Sequence, residues 1–197
     1  MVPSILLYTF FKKSELFPLF LGVLFRTHNR TNVPFNENRE RIMNYKNYMN
    51  SATEVEIAKL YRQFGIVVPS HLTIDTLSEI FNINVYFLKT ESKLILDGDD
   101  VFIILNSRLT KREQLEDFYH ELAHFLLDHR PTTTLSLFNY FEMKADNLIQ
   151  YLAIPIHMFN FIDFESDYLI HEMAGQFNIS WELAYKRLEN IKQKVGA

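Results

Sequence analysis

Beyond Thr53 the chain settles into regular spacings of apolar and polar residues. Ile57, Leu60, Tyr61 and Phe64 fall on one helical face, and Gly65 supplies the C-terminal stop. A second, shorter helix follows Thr73 and carries Leu77, Ile80 and Phe81. The period then shortens. Strands are predicted at Ile83 to Leu88, Lys93 to Leu96 and Val101 to Leu105, joined by the turn-like Thr90-Glu91-Ser92 and Asp97-Gly98-Asp99-Asp100. They read as a small antiparallel meander. From Thr110 the helical period returns: Leu115, Phe118, Leu122, Phe125 and Leu126 form one stripe, introduced by the capping box Thr110-Lys111-Arg112-Glu113 and closed by Pro131. A further helix starts near Ser136 or Asn139 and ends before Pro155. Asp167 to Phe177 and Ser180 to Lys194 read as a final pair, joined by Asn178-Ile179. The expected class is α+β, mostly helical, with a three-stranded sheet.

Charge separates the beginning of the chain from the rest. Residues 1 to 50 hold seven Lys/Arg and three Glu, whereas residues 51 to 197 hold 13 Lys/Arg and 21 Asp/Glu, which together give the net −4. Two apolar runs, Ser4 to Phe11 and Leu16 to Phe25, lie in the first part, and neither reaches the roughly 20 residues that span a bilayer. This part is read as an extension that is poorly ordered or not native, translated from upstream of a start at Met43 or Met49, with a membrane anchor as its alternative, and residues 51 to 197 as one domain. An acidic domain of this kind is not expected to bind nucleic acid stably. Cysteine is absent, which removes disulfides, thiolate metal ligands and cysteine nucleophiles and agrees with a reducing cytoplasm.

Histidine and carboxylate are left to carry any metal chemistry, and His120-Glu121-Leu122-Ala123-His124 places them in the H-E-x-x-H pattern on the helix after Thr110. Positions four apart share a helical face, so both imidazoles can reach one ion. Glu121, turned by about 100°, can reach a water at that ion without ligating it. The plainer alternative is a core helix with two incidental histidines. A tetrahedral zinc site needs a third protein ligand. Leu127 and Arg130 exclude the extended three-histidine pattern, but Glu142-Met143-Lys144-Ala145-Asp146 offers E-x-x-x-D 18 residues after His124. There Glu142 would complete the ligand set, and Asp146, one turn on, could accept the free N–H of a ligand histidine.

With these motifs in hand, residues 53 to 192 resemble the ImmA/IrrE family of zincin-like metallopeptidases. The resemblance rests on Gln114 to Leu127 and on the Glu142-x-x-Ala145-Asp146 helix running to Leu152 and Pro155. Leu148, Ile149 and Ala153 depart from the usual pattern at packing positions. The resemblance implies a gluzincin-type zincin fold, zinc held by His120, His124 and Glu142, and Glu121 as catalytic base. It further implies an intracellular regulatory endopeptidase whose substrate is a helix-turn-helix repressor, often of a mobile element.

Substrate could pair with the strand that leads into the zinc helix, so Val101, Phe102 and Ile103 are candidate substrate contacts by β-augmentation. Tyr119, Tyr140 and Tyr168, with His129, His157 and His171, are candidate carbonyl-polarising or ligating groups that the sequence does not rank. The last two helices superficially resemble a DNA-binding pair, but four Lys/Arg against two Glu in Ser180 to Lys194 favours packing on the core. Two other functions fit the same residues: a noncatalytic DNA- or protein-interaction module with a structural or vestigial zinc site, and a metal-dependent hydrolase of a nonprotein substrate.

Overall fold

A computed structural model describes residues 48–128 and 134–195. The extension expected over residues 1 to 50, except its last three residues, lies outside them, as do His129 and the helix-closing Pro131. Among the described residues the order is α1 (Ala52–Gln63), α2 (Ile74–Phe81), β1 (Ile83–Leu88), β2 (Lys93–Asp97), β3 (Asp100–Asn106), α3 (Lys111–Leu126), α4 (Leu135–Ala153), α5 (Leu169–Gln176) and α6 (Trp181–Val195). Short 3-10 turns lie at Pro69–His71 and Ile156–Phe161. No described helix is long and apolar enough to cross a membrane.

Local chemistry accounts for most boundaries. Ser51 and Glu54 form a reciprocal capping box at the start of α1, and Thr110 and Glu113 do the same for α3. Thr73 accepts the Thr76 N–H to open α2. Gly65 follows α1 at φ 76°, in the left-handed region that favours glycine. Ser180 accepts the Leu183 N–H at the start of α6. α4 begins at Leu135 rather than at Ser136 or Asn139, with no side-chain cap on Thr134.

The α+β class holds, but the sheet is mixed rather than an antiparallel meander. Its order is β1-β3-β2, with β1 parallel and β2 antiparallel to β3. The physical reason is visible in composition: Val101 to Leu105 is the most continuously apolar run of the three, and such a run is best accommodated with neighbours on both sides. The Lys89 to Ser92 connection therefore passes over the slot that β3 fills. Gly98, at φ 60°, opens the two-residue turn that returns β2 into β3. Val101, Ile103 and Leu105 point into the core, where α3 contributes Leu115, Phe118 and Leu122. The α5–α6 pair closes the other side of that core through Met173, Phe177, Ala184 and Leu188.

Candidate metal centre

α3 lies between two supports that fix its rotation. On one side Asp117 accepts a hydrogen bond from the Ser92 hydroxyl, which itself accepts the Asn106 N–H at 3.0 Å. On the other, Glu116 receives the Ser180 N–H and, at 3.0 Å, its hydroxyl. The apolar stripe is fully buried, so the next turn of α3 presents His120, Glu121 and His124 to the groove between the sheet and α4.

There the sequence-spaced groups converge. His120 Nε2 and His124 Nε2 are 3.0 Å apart. The Glu142 carboxylate, brought in by α4, lies 3.4 Å from His120 Nε2 and 3.3 Å from His124 Nε2. A tetrahedral zinc with bonds of about 2.0 to 2.1 Å has ligand-to-ligand edges of about 3.3 to 3.4 Å. The three donors thus fit one ion, and among the described residues they form the only such His/Asp/Glu group. All three side chains remain partly open to solvent, which leaves room for a further ligand. Asp146 stands 3.8 Å from His120 Nδ1, on the far side of that ring and beyond ordinary hydrogen-bond distance.

Burial shifts the nearby ionisations in useful directions. It lowers the His124 pKa, with His120 adding to the effect, and so favours the neutral imidazole that ligates metals. It raises the Glu121 pKa; His120 and a hydrogen bond from the Leu94 N–H oppose the rise, whereas Asp117 and Glu142 reinforce it. Glu121 therefore sits beside the ligand triangle and against β2, suited to holding a proton in transit.

Residues 78 to 189 match the family model described as the IrrE N-terminal-like domain, peptidase M78. The chain belongs to this family. Two Bacillus subtilis (strain 168) proteins are similar to this IrrE-like chain at 26% identity each. One is the uncharacterized protein YqaB, aligned over 152 residues that cover 75% of this chain and 88% of YqaB. The other is the phage-like element PBSX protein XkdA, aligned over 148 residues that cover 73% of this chain and 75% of XkdA.

Other candidates fall elsewhere. β3 is paired on both sides, and Val101 and Ile103 are buried, so Val101, Phe102 and Ile103 have no free edge to offer a peptide. That expectation is corrected: the edge beside Glu121 belongs to β2. Tyr119 is wholly buried in the core and does not line the groove. Tyr168 is exposed where α5 begins, and Tyr140 lies on α4 with Lys144 over its ring. His157 contacts the Ile66 carbonyl at 2.8 Å, and His171 is on α5. Sequence reasoning missed Ser92, whose only local signal was its place in a turn.

Proposed function

We propose that this chain is a zinc-dependent endopeptidase acting in the cytoplasm on a helix-turn-helix repressor of a mobile element. The observation that carries the reading is the triangle of His120, His124 and Glu142 donors with Glu121 next to it. Similarity to a phage-like element protein supports the mobile-element setting.

The three donors would hold the zinc, and Asp146, 3.8 Å from His120 Nδ1, would have to move closer to accept the free N–H of that ring. Zinc bound there supplies Lewis acidity, which lowers the pKa of water and polarises a carbonyl. Glu121 takes a proton from the attacking water as the oxygen joins the scissile carbon. The same carboxyl then delivers that proton to the amine as the C–N bond breaks. The burial that raises the Glu121 pKa narrows the gap between these two roles.

Substrate orientation follows from the sheet. Asp97 and Asp100 close the hairpin, so they, Ile95 and Lys93 direct their peptide groups toward β3, and Leu94 and Leu96 direct theirs outward. The Leu94 N–H reaching Glu121 agrees with this parity. An extended segment of the repressor would pair with that outer edge and lie across the ligand triangle.

The test is incubation of the zinc-loaded protein with the repressor encoded beside it, and separately with casein. One discrete cut in the repressor with little casein hydrolysis is the expected result. Rapid casein degradation with an intact repressor would overturn the regulatory assignment, and no cleavage of either would overturn the peptidase.

A further inference from the structure

The sheet has two unlike faces. Because Val101, Ile103 and Leu105 point into the core, the alternate residues Phe102 and Ile104 point the other way. Strand register puts Tyr86 and Leu88 of β1 and Ile95 of β2 on that same outer side. Tyr86 is 52% exposed, Leu88 48% and Ile95 37%, and the Tyr86 ring stacks on Phe102 at 6.2 Å. An apolar face left open in this way has the character of an interface, and the layer that ordinarily covers a sheet is a helix.

Charge divides the face along its length. Lys93 stands on it at the start of β2, and Lys89 and Arg108 gather at the same end because Leu88 pairs with Asn106 and the Ser107 N–H donates to the Leu88 carbonyl at 2.8 Å. Among the described residues none of these three cations is in an ion pair. At the opposite end the hairpin carries Asp97, Asp99 and Asp100. Lys93 and Asp97 are four residues apart on one strand, about 13 Å. An α-helix covers that distance in about nine residues.

We propose that this face docks an amphipathic helix of another protein, with its apolar stripe on the exposed side chains, acidic residues over Lys93 and a basic residue about nine positions away over Asp97. Leu88, Ile95 and Ile104 suit aliphatic side chains better than stacked bases, and the aspartates at the hairpin repel phosphate. Residues 1 to 50 of the same chain, with seven Lys/Arg and three Glu, suit the aspartate end but offer few acidic residues to the Lys93 end. Docking here does not depend on peptidase activity, although β2 is also the strand beside Glu121 and would place the partner next to the groove.

The probe is a labelled synthetic helix of about 15 residues, with a leucine stripe, glutamates near one end and lysines near the other. Its binding to the full-length protein is followed by fluorescence anisotropy. Two control peptides carry lysine at both ends or serine in place of leucine. The bipolar peptide should bind at least about tenfold more tightly than either control, and Lys93→Glu should weaken it by about tenfold. Leu88→Ser should weaken it similarly, with the thermal melt of both variants unchanged. Equal binding of the all-lysine peptide, or indifference to both substitutions, would overturn the proposal. So would dimerisation of the protein that Leu88→Ser abolishes, or binding of single-stranded DNA or phosphatidylglycerol vesicles through these residues.

Discussion

Two clusters of ionisable groups are built on different pairs of helices, α1 with α6 and α3 with α4, and come to opposite ends. Between α1 and α6, Glu54 is wholly enclosed: Arg187 reaches it at 2.7 Å, Lys194 at 2.6 Å and the Tyr48 hydroxyl at 2.6 Å. Arg187 also donates to the Ile154 carbonyl and lies over the Tyr151 and Phe159 rings, at 4.8 and 5.0 Å from their centroids. At the groove, His120, His124 and Glu142 instead aim their donor atoms at one another's vicinity and stay open to water. In the first cluster both carboxylate oxygens of Glu54 meet donors, although Arg187 Nη2 has no hydrogen-bond partner among the described residues. In the second, acceptor lone pairs converge with too few protons between them, an arrangement that a cation resolves. Charge in a protein interior therefore reads as architecture when the buried carboxylate is matched by donors and as a site when acceptors converge without them.

The sharpest way to break that contrast is Glu121→Gln. An amide cannot accept the water proton, so repressor cleavage should fall by on the order of 10²- to 10⁴-fold while the fold and the melting temperature are kept. A variant that cleaves at the normal rate would remove Glu121 from the chemistry. At the sealed cluster the loss should be of stability instead. Arg187→Ala leaves Glu54 buried beside one cation, and should cost about 3 to 5 kcal/mol in denaturant unfolding. The folded fraction should bind zinc as before. Loss of zinc affinity without loss of stability would show that the clusters are not separate.

Acid should distinguish them further. Burial works to raise the Glu54 pKa, but Arg187, Lys194 and the hydrogen bonds from Lys194 and Tyr48 prevail and hold it at about 2, below the ordinary 4.5. The folded value is the depressed one. Its contribution, on the order of 3 kcal/mol, is thus fully present above pH 4.5 and declines as pH falls from there toward 2. Urea midpoints measured across that window should drop steeply for the native chain and more shallowly for Glu54→Gln. Parallel slopes would contradict the assignment. The smallest effect concerns the domain's beginning. A chain starting at Tyr48 should be as stable as the full chain, and one starting at Met49 weaker by about 1 to 3 kcal/mol, because the Tyr48 bond to buried Glu54 is lost.

The groove was far more legible in the sequence than the sealed cluster. His120, Glu121 and His124 share one helix, so their proximity follows from the helical period alone. Glu142 required only that a second helix return beside the first. Arg187 and Glu54, separated by well over one hundred residues, meet only through packing, and a lone Arg on α6 reads as a solvated surface charge. The sheet failed for a related reason: alternation gave the strands and their turns, but pairing order is set by which strand gains most from two neighbours. That misplacement moved the expected substrate edge from β2 to Val101, Phe102 and Ile103. Ser92 illustrates the same limit, since its bond to Asp117 spans a loop and a helix.

Zinc titration of the apo protein by calorimetry, comparing the native chain with Glu121→Gln and Glu142→Ala, tests the central claim directly. The native chain and Glu121→Gln should each bind one zinc with similar affinity, and Glu142→Ala should bind at least about 100-fold more weakly because a ligand is gone. Equal zinc affinity for all three proteins would contradict the claim that these helices converge to form a metal site.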